Sequence, residues 1–143
     1  MNIDAHSITP NLWVGSAPPP GNYAGKFDSI VLVAEEYQPG PEHFPGVTLH
    51  RHPFDDTPAP TRKDLHAASE ASKAAAFDLA SGKRVLVTCR MGRNRSGFVA
   101  ALALRRLGMS GKDAYQLVRS RRVDPTGVKA LGNLTFARIL EKI

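Results

Sequence analysis

The 143 residues include one cysteine, Cys89. A lone thiol cannot close an internal disulfide, so the expected setting is reducing and cytoplasmic. No stretch approaches the ~20 consecutive apolar residues of a membrane span. The opening Met1-Asn2-Ile3-Asp4 has neither the basic start nor the apolar run of a secretory signal. Internal repeats and long linkers are also missing, and the length suits one domain with a real core. Acids are nearly missing between Lys83 and Arg122, where eleven Lys and Arg accompany only Asp113, a local charge of +10. The remaining residues hold eight basic and twelve acidic side chains, a charge of −4. Such a concentrated field gathers anionic ligands. The arginines around Cys89 have no aromatic residues interleaved with them, as a stacking platform for nucleic acid needs, so nucleic acid is a disfavoured partner. The histidines His6, His43, His50, His52 and His66 show no metal-ligand spacing, and no metal is expected.

Short apolar, β-rich runs mark strands at Leu12–Val14, Ser29–Val33, Val47–His52 and Val85–Val87. Between and after them lie helical patterns. Thr61 and Asp64 form a capping box ahead of Leu65, Ala68, Ser72, Ala75 and Leu79, and Gly82 ends that run. Ser96 to Leu107 is apolar almost all round, as a buried central helix is, and Gly108 stops it. Ser110 caps a further helix running to about Arg121. A last helix is expected over much of Gly127 to Ile143, weakened by Gly132 and Asn133. Strands alternating with helices predict an α/β fold: a central, mostly parallel sheet flanked by helices, in a single domain over residues 1–143.

This reading puts Cys89 at the carboxyl end of a central strand, one turn before the buried helix. Ligands of open α/β sheets collect at such strand ends. Helix N-termini favour anions through unpaired N–H groups and the helix dipole. Gly92 supplies the positive φ of a tight loop. The amides from Arg90 through Met91, Gly92, Arg93 and Asn94 to Arg95 are then expected to curl into an anion-binding nest. Arg95 is placed to grip an oxyanion through two parallel N–H bonds. The same field favours the thiolate of a cysteine, the nucleophilic form. Ser96 can hydrogen-bond the sulfur and help it leave later. The bland alternatives are an inert core cysteine and a helix-start arginine facing water.

The pattern C-x5-R-S between strand and helix resembles the signature of the cysteine-dependent protein tyrosine phosphatase superfamily, with the compact dual-specificity branch most similar. "ITPNLWVGSAPPP" (8–20) resembles that branch's opening strand and turn, "FDDTPAPT" (54–61) its general-acid loop, and "DAYQLVRSRRVDP" (113–125) its following helix. The resemblance implies a phosphatase-like single domain that hydrolyses phosphate monoesters without metal or cofactor. Phosphorylated proteins are the favoured substrates; phosphoinositides and RNA 5′ ends stay open, and a monomer is expected. It implies Cys89 as nucleophile, Arg95 as phosphate-binding arginine and an aspartate as acid/base. Asp56 is preferred over Asp55 because "DDT" sets an acid directly before a small polar residue, though Asp55 stays in play. Arg90, Arg93 and the run Arg119 to Arg122 are expected to extend binding toward acidic substrates.

Two departures from the family pattern stand out. Thr88 replaces the usual histidine before the cysteine, which leaves a non-catalytic phosphate-binding module open as an alternative. Asn133, with Phe136 three residues on, resembles a family Gln-x-x-Phe that positions the hydrolytic water; the plainer reading is a helix cap or a solvent-facing residue.

Overall fold

The computed structural model describes residues 3–143; Met1 and Asn2, part of the opening Met1-Asn2-Ile3-Asp4 that lacks a signal pattern, lie outside them. The strands are β1 (Ala5–Thr9), β2 (Leu12–Gly15), β3 (Ser29–Ala34), β4 (Thr48–Phe54) and β5 (Val85–Thr88). The α-helices are α1 (Arg62–Ala80), α2 (Arg95–Arg106), α3 (Gly111–Arg121) and α4 (Leu134–Glu141), with a short 3-10 turn at Pro41–His43. The sheet order is β1-β2-β5-β3-β4. Among the strands of the described residues, only the β1–β2 pair is antiparallel.

Alternation along the strands divides the core in two. Val31, Val33, Val85 and Val87 face one side, where residues of all four helices join them. Ile30, Leu32 and Leu86 face the other, which is covered by Tyr23, Phe27 and Phe44 and has no helical residue in its cluster. The helices therefore form one layer, and the long connection between β2 and β3 together with the 3-10 turn closes the second face. The α2 helix is buried from Arg95 through Ala101, and again at Ala103 and Leu104, as its apolar sequence predicts. Each fully buried Val or Phe contributes about 1.5–3 kcal/mol relative to exposure.

The caps follow the sequence reading. Thr61 Oγ1 accepts the Asp64 amide at 3.1 Å, and Asp64 Oδ2 accepts the Thr61 amide at 2.9 Å. Ser110 caps α3 through the Asp113 amide at 3.1 Å. The final helix is shorter than expected. Residues 127–132 do not enter it; an isolated bridge pairs Val123 with Lys129, and Leu131 has a φ of 62°. The two glycines of that stretch disfavour helix, and α4 starts only where Asn133 caps it. The strand β1 escaped the sequence reading, being short, half exposed and irregular between Ser7 and Thr9.

Candidate active site

Three parallel strands deliver the site at their carboxyl ends. Cys89 follows β5, Glu36 lies two residues beyond β3, and Asp56 lies two residues beyond β4. A cavity of about 130 Å³ lies among them, lined by Asp56, Cys89, Arg90, Met91, Arg93, Asn94 and Arg95. Cys89 is 4% exposed, and its Sγ lies 3.1 Å from the buried Ser96 Oγ.

The loop between Cys89 and α2 is fastened from outside, carbonyl by carbonyl. Arg90 O accepts the Ala17 amide at 3.1 Å, Arg93 O the Leu131 amide at 3.2 Å, and Asn94 O the Phe98 amide at 2.8 Å. The two carbonyls between are held by one side chain: Arg122 donates from Nε to Gly92 O at 2.9 Å and from Nη2 to Met91 O at 3.0 Å. Among the described residues, no amide from Arg90 to Asn94 donates to a protein acceptor. In a trans peptide, C=O and N–H point in opposite directions. A carbonyl pulled outward thus turns the next residue's amide inward, and a run of such amides is an anion cradle. Gly92 has the predicted positive φ, 68°. A Cβ there would lie 2.4 Å from the Gly15 carbonyl carbon and 2.6 Å from Arg122 Nη2, so the close approach also requires glycine.

Arg95 is 6% exposed, so it is no solvent-facing residue at a helix start. Its Nη2 donates to Glu36 Oε2 at 2.8 Å, its Nη1 to Glu36 Oε1, and Nη1 also to Phe54 O at 3.2 Å. Its Nε is buried without a partner among the described residues. Burial opposes the charge on Arg95, but the Glu36 hydrogen bonds and the nearby Cys89 and Asp56 hold its pKa above the ordinary arginine value. The guanidinium is thus charged, oriented from behind, and left with an unused donor.

Asp56 is held by two amide side chains: Asn94 Nδ2 donates to Oδ2 at 2.9 Å and Asn133 Nδ2 to Oδ1 at 3.0 Å. Asp55 does not line the cavity, and its amide instead donates to Asp64 Oδ1 at 3.3 Å. Position therefore separates the two candidate acids that the sequence left open.

No family model matches the chain. A 116-residue stretch is 36% identical to human protein tyrosine phosphatase type IVA 3, covering 80% of this chain and 66% of that relative. The match thus spans just under two thirds of the relative's length. A mouse putative dual specificity phosphatase, solved with zinc tungstate, superposes with a TM-score of 0.76 at 28% identity, over 99% of this chain and 89% of that one. Human DUSP28 superposes with a TM-score of 0.73 at 28% identity, over 99% and 95%. The chain belongs to the cysteine-dependent protein tyrosine phosphatase superfamily.

Membership in this phosphatase superfamily does not make every nearby arginine a substrate contact. The expectation for Arg119 to Arg122 is corrected in part. Arg122 is fully buried, and besides the loop carbonyls it binds both carboxylate oxygens of Asp4, at 2.7 and 2.8 Å, and His6 Nδ1 at 3.0 Å. It braces the cradle from behind and has no surface to offer a substrate. Arg119 donates to Ala130 O at 3.0 Å, leaving Arg121 exposed. Arg93 lines the cavity, but its guanidinium is engaged by Asp124 and by Thr126 Oγ1. Arg90 and Met91, with Asp56, are the exposed residues of the cavity lining. Thr88, where the phosphatase pattern has histidine, is 1% exposed.

Glu36 had no sequence signal, since its partner lies 59 residues away. Arg95 holds the Glu36 carboxyl down to about 2, first through their hydrogen bonds. A folded-state pKa below the unfolded value of 4.5 means a contribution to stability that is present above pH 4.5 and lost as pH falls toward 2. Thermal melts from pH 6 to pH 2.5 should therefore fall more steeply for the native chain than for Glu36→Gln. Parallel curves would show that the pair does not report on folding.

Proposed function

We propose that this chain hydrolyses phosphate monoesters, with phosphotyrosine and phosphoserine or phosphothreonine proteins as its substrates, through a phosphocysteine at Cys89. The observation that carries this reading is a run of backbone amides, Arg90 to Asn94, with no protein acceptor among the described residues, next to a buried sulfur, with a charged arginine and a carboxylate lining the same cavity. The protein-substrate assignment draws on the names of the relatives.

The phosphoryl oxygens sit in the cradle and on Arg95, whose free Nε supplies a donor. Cys89 Sγ attacks phosphorus in line, the S–P bond forms, and the P–O ester bond breaks. Asp56 in its acid form passes a proton to the departing oxygen. Water then attacks the thiophosphate, Asp56 takes a proton from it, the P–S bond breaks, and phosphate leaves. Ser96 Oγ, 3.1 Å from the sulfur, stabilises the departing thiolate. Catalysis of this type lies mostly in positioning and in stabilising charge on the equatorial oxygens, which fixed amides and a prepaid guanidinium orientation provide.

The test compares Asp56→Asn with Asp55→Asn on phenyl phosphate and p-nitrophenyl phosphate. A phenolate leaving group needs a proton far more than a nitrophenolate does. Asp56→Asn is expected to lower kcat on phenyl phosphate by about 10²-fold or more and on p-nitrophenyl phosphate by less. Asp55→Asn should stay within a few-fold of the native enzyme on both. A native chain that binds tungstate yet turns over neither ester, nor phosphotyrosyl and phosphothreonyl peptides, is a phosphate-binding module, and the proposal fails.

A further inference from the structure

Of the two plainer readings of Asn133, a helix cap or a solvent-facing residue, it is the cap; capping accounts for only half of its side-chain hydrogen bonds. An asparagine side chain has two N–H donors and an oxygen that accepts two bonds. The oxygen accepts the Thr135 amide at 3.0 Å and the Phe136 amide at 3.2 Å. The nitrogen donates to Asp56 Oδ1 at 3.0 Å and to Thr57 O at 2.9 Å. Every bonding position is taken. The orientation is internally determined, because a flipped amide would face its oxygen toward a carboxylate and its N–H groups toward backbone N–H groups.

The contacts close a ring. The Asn133 backbone amide donates to Asn94 Oδ1 at 2.9 Å, and Asn94 Nδ2 donates to the other oxygen of Asp56. Thr135 Oγ1 adds a bond to Pro58 O at 2.6 Å. The start of α4 thereby grips the segment from Asp56 to Pro58, an exposed loop with no regular structure of its own. With both N–H groups engaged, Asn133 has none left to hold a water molecule.

Given Asp56 as the acid/base of the proposed reaction, we infer that Asn133 is its positioning residue: the amide that caps α4 also sets the Asp56 carboxylate over the cavity floored by Cys89. Asn133 does not touch the reacting atoms. It acts by removing the freedom of a loop carboxylate, and misplacing such a group by about 1 Å costs up to roughly 10²-fold in rate.

Asn133→Ser separates the two jobs, since a serine oxygen still caps a helix but supplies neither amide donor. Steady-state kinetics on phenyl phosphate and p-nitrophenyl phosphate should be measured for the native chain, Asn133→Ser, Asp56→Asn and the double variant. The expected result is an unchanged KM, a fall in kcat of about tenfold on phenyl phosphate, a smaller fall on p-nitrophenyl phosphate, and no further loss when Asn133→Ser is added to Asp56→Asn. A purely structural role, or a role in holding water, would make the two losses multiply in the double variant, and that result overturns the inference. So does a kcat for Asn133→Ser within twofold of native. An Asp56→Asn variant as active as the native chain removes the proposed acid itself and the inference with it, and that failure is visible without any change at Asn133. If Asn133→Ser unfolds early, Asn133→Asp keeps the cap's shape while facing Asp56 with an acceptor, and the same pattern is expected of it.

Discussion

Cys89→Ser is expected to lose phosphate-ester turnover by a factor on the order of 10⁴ or more while still binding inorganic phosphate and tungstate. A serine hydroxyl at neutral pH keeps its proton and is a poor nucleophile. Among the described residues the hydrogen-bond partner of Cys89 is a hydroxyl, Ser96, and not a base. The binding machinery is untouched, because the carbonyls of residues 90–94 are fastened by Ala17, Arg122, Leu131 and Phe98 and not by the sulfur. Initial rates on p-nitrophenyl phosphate, paired with tungstate titration by calorimetry, check both halves. Turnover equal to that of the native chain would remove Cys89 from the chemistry. Loss of binding together with turnover would mean that the sulfur shapes the cradle.

Arg122→Leu should produce the largest loss of stability, about 3 kcal/mol or roughly 10 °C in Tm. Removing one member of a buried ion pair leaves the other without its partner. Here the abandoned groups are the Asp4 carboxylate and the carbonyls of Met91 and Gly92. Asp4 is 25% exposed at its side chain and regains some water, which keeps the figure at the lower end of the range for buried pairs. Activity should fall as well, since among the described residues no other group holds those two carbonyls. Adding Asp4→Ala to Arg122→Leu tells the two effects apart. The double variant should recover part of the Tm, the unpaired acid being gone, and none of the kcat. Recovery of both would assign Arg122 a purely structural part.

The sequence carried the local features well. The capping box at Thr61 and Asp64, the strand Val85–Thr88, the buried helix behind it and the positive φ of Gly92 all depend on neighbours within a few positions, so spacing exposes them. What stayed hidden depends on partners far along the chain. Glu36 meets Arg95 across 59 residues, and Arg122 meets Asp4 across 118. Within its run of arginines, Arg122 looks no different from Arg121; only the fold buries one and exposes the other. The preference for Asp56 over Asp55 rested on one adjacent small polar residue, and the amides of Asn94 and Asn133 that hold the Asp56 carboxylate come from far along the chain. The overlong final helix has a related cause: along the non-helical path through Ala130 and Leu131 the amides reach Arg122 O and Arg93 O, contacts that no periodicity encodes.

The bracing of the loop by Asp4 near one end of the chain and by Arg122, Leu131 and Asn133 toward the other has a consequence for synthesis. As the polypeptide leaves the ribosome, Cys89 emerges well before the residues that shape its surroundings. Until about residue 133 is available, the segment after the thiol lacks the side chains that fasten its carbonyls, so the proposed chemistry requires the segments from Asp4 to Asn133 to have come together.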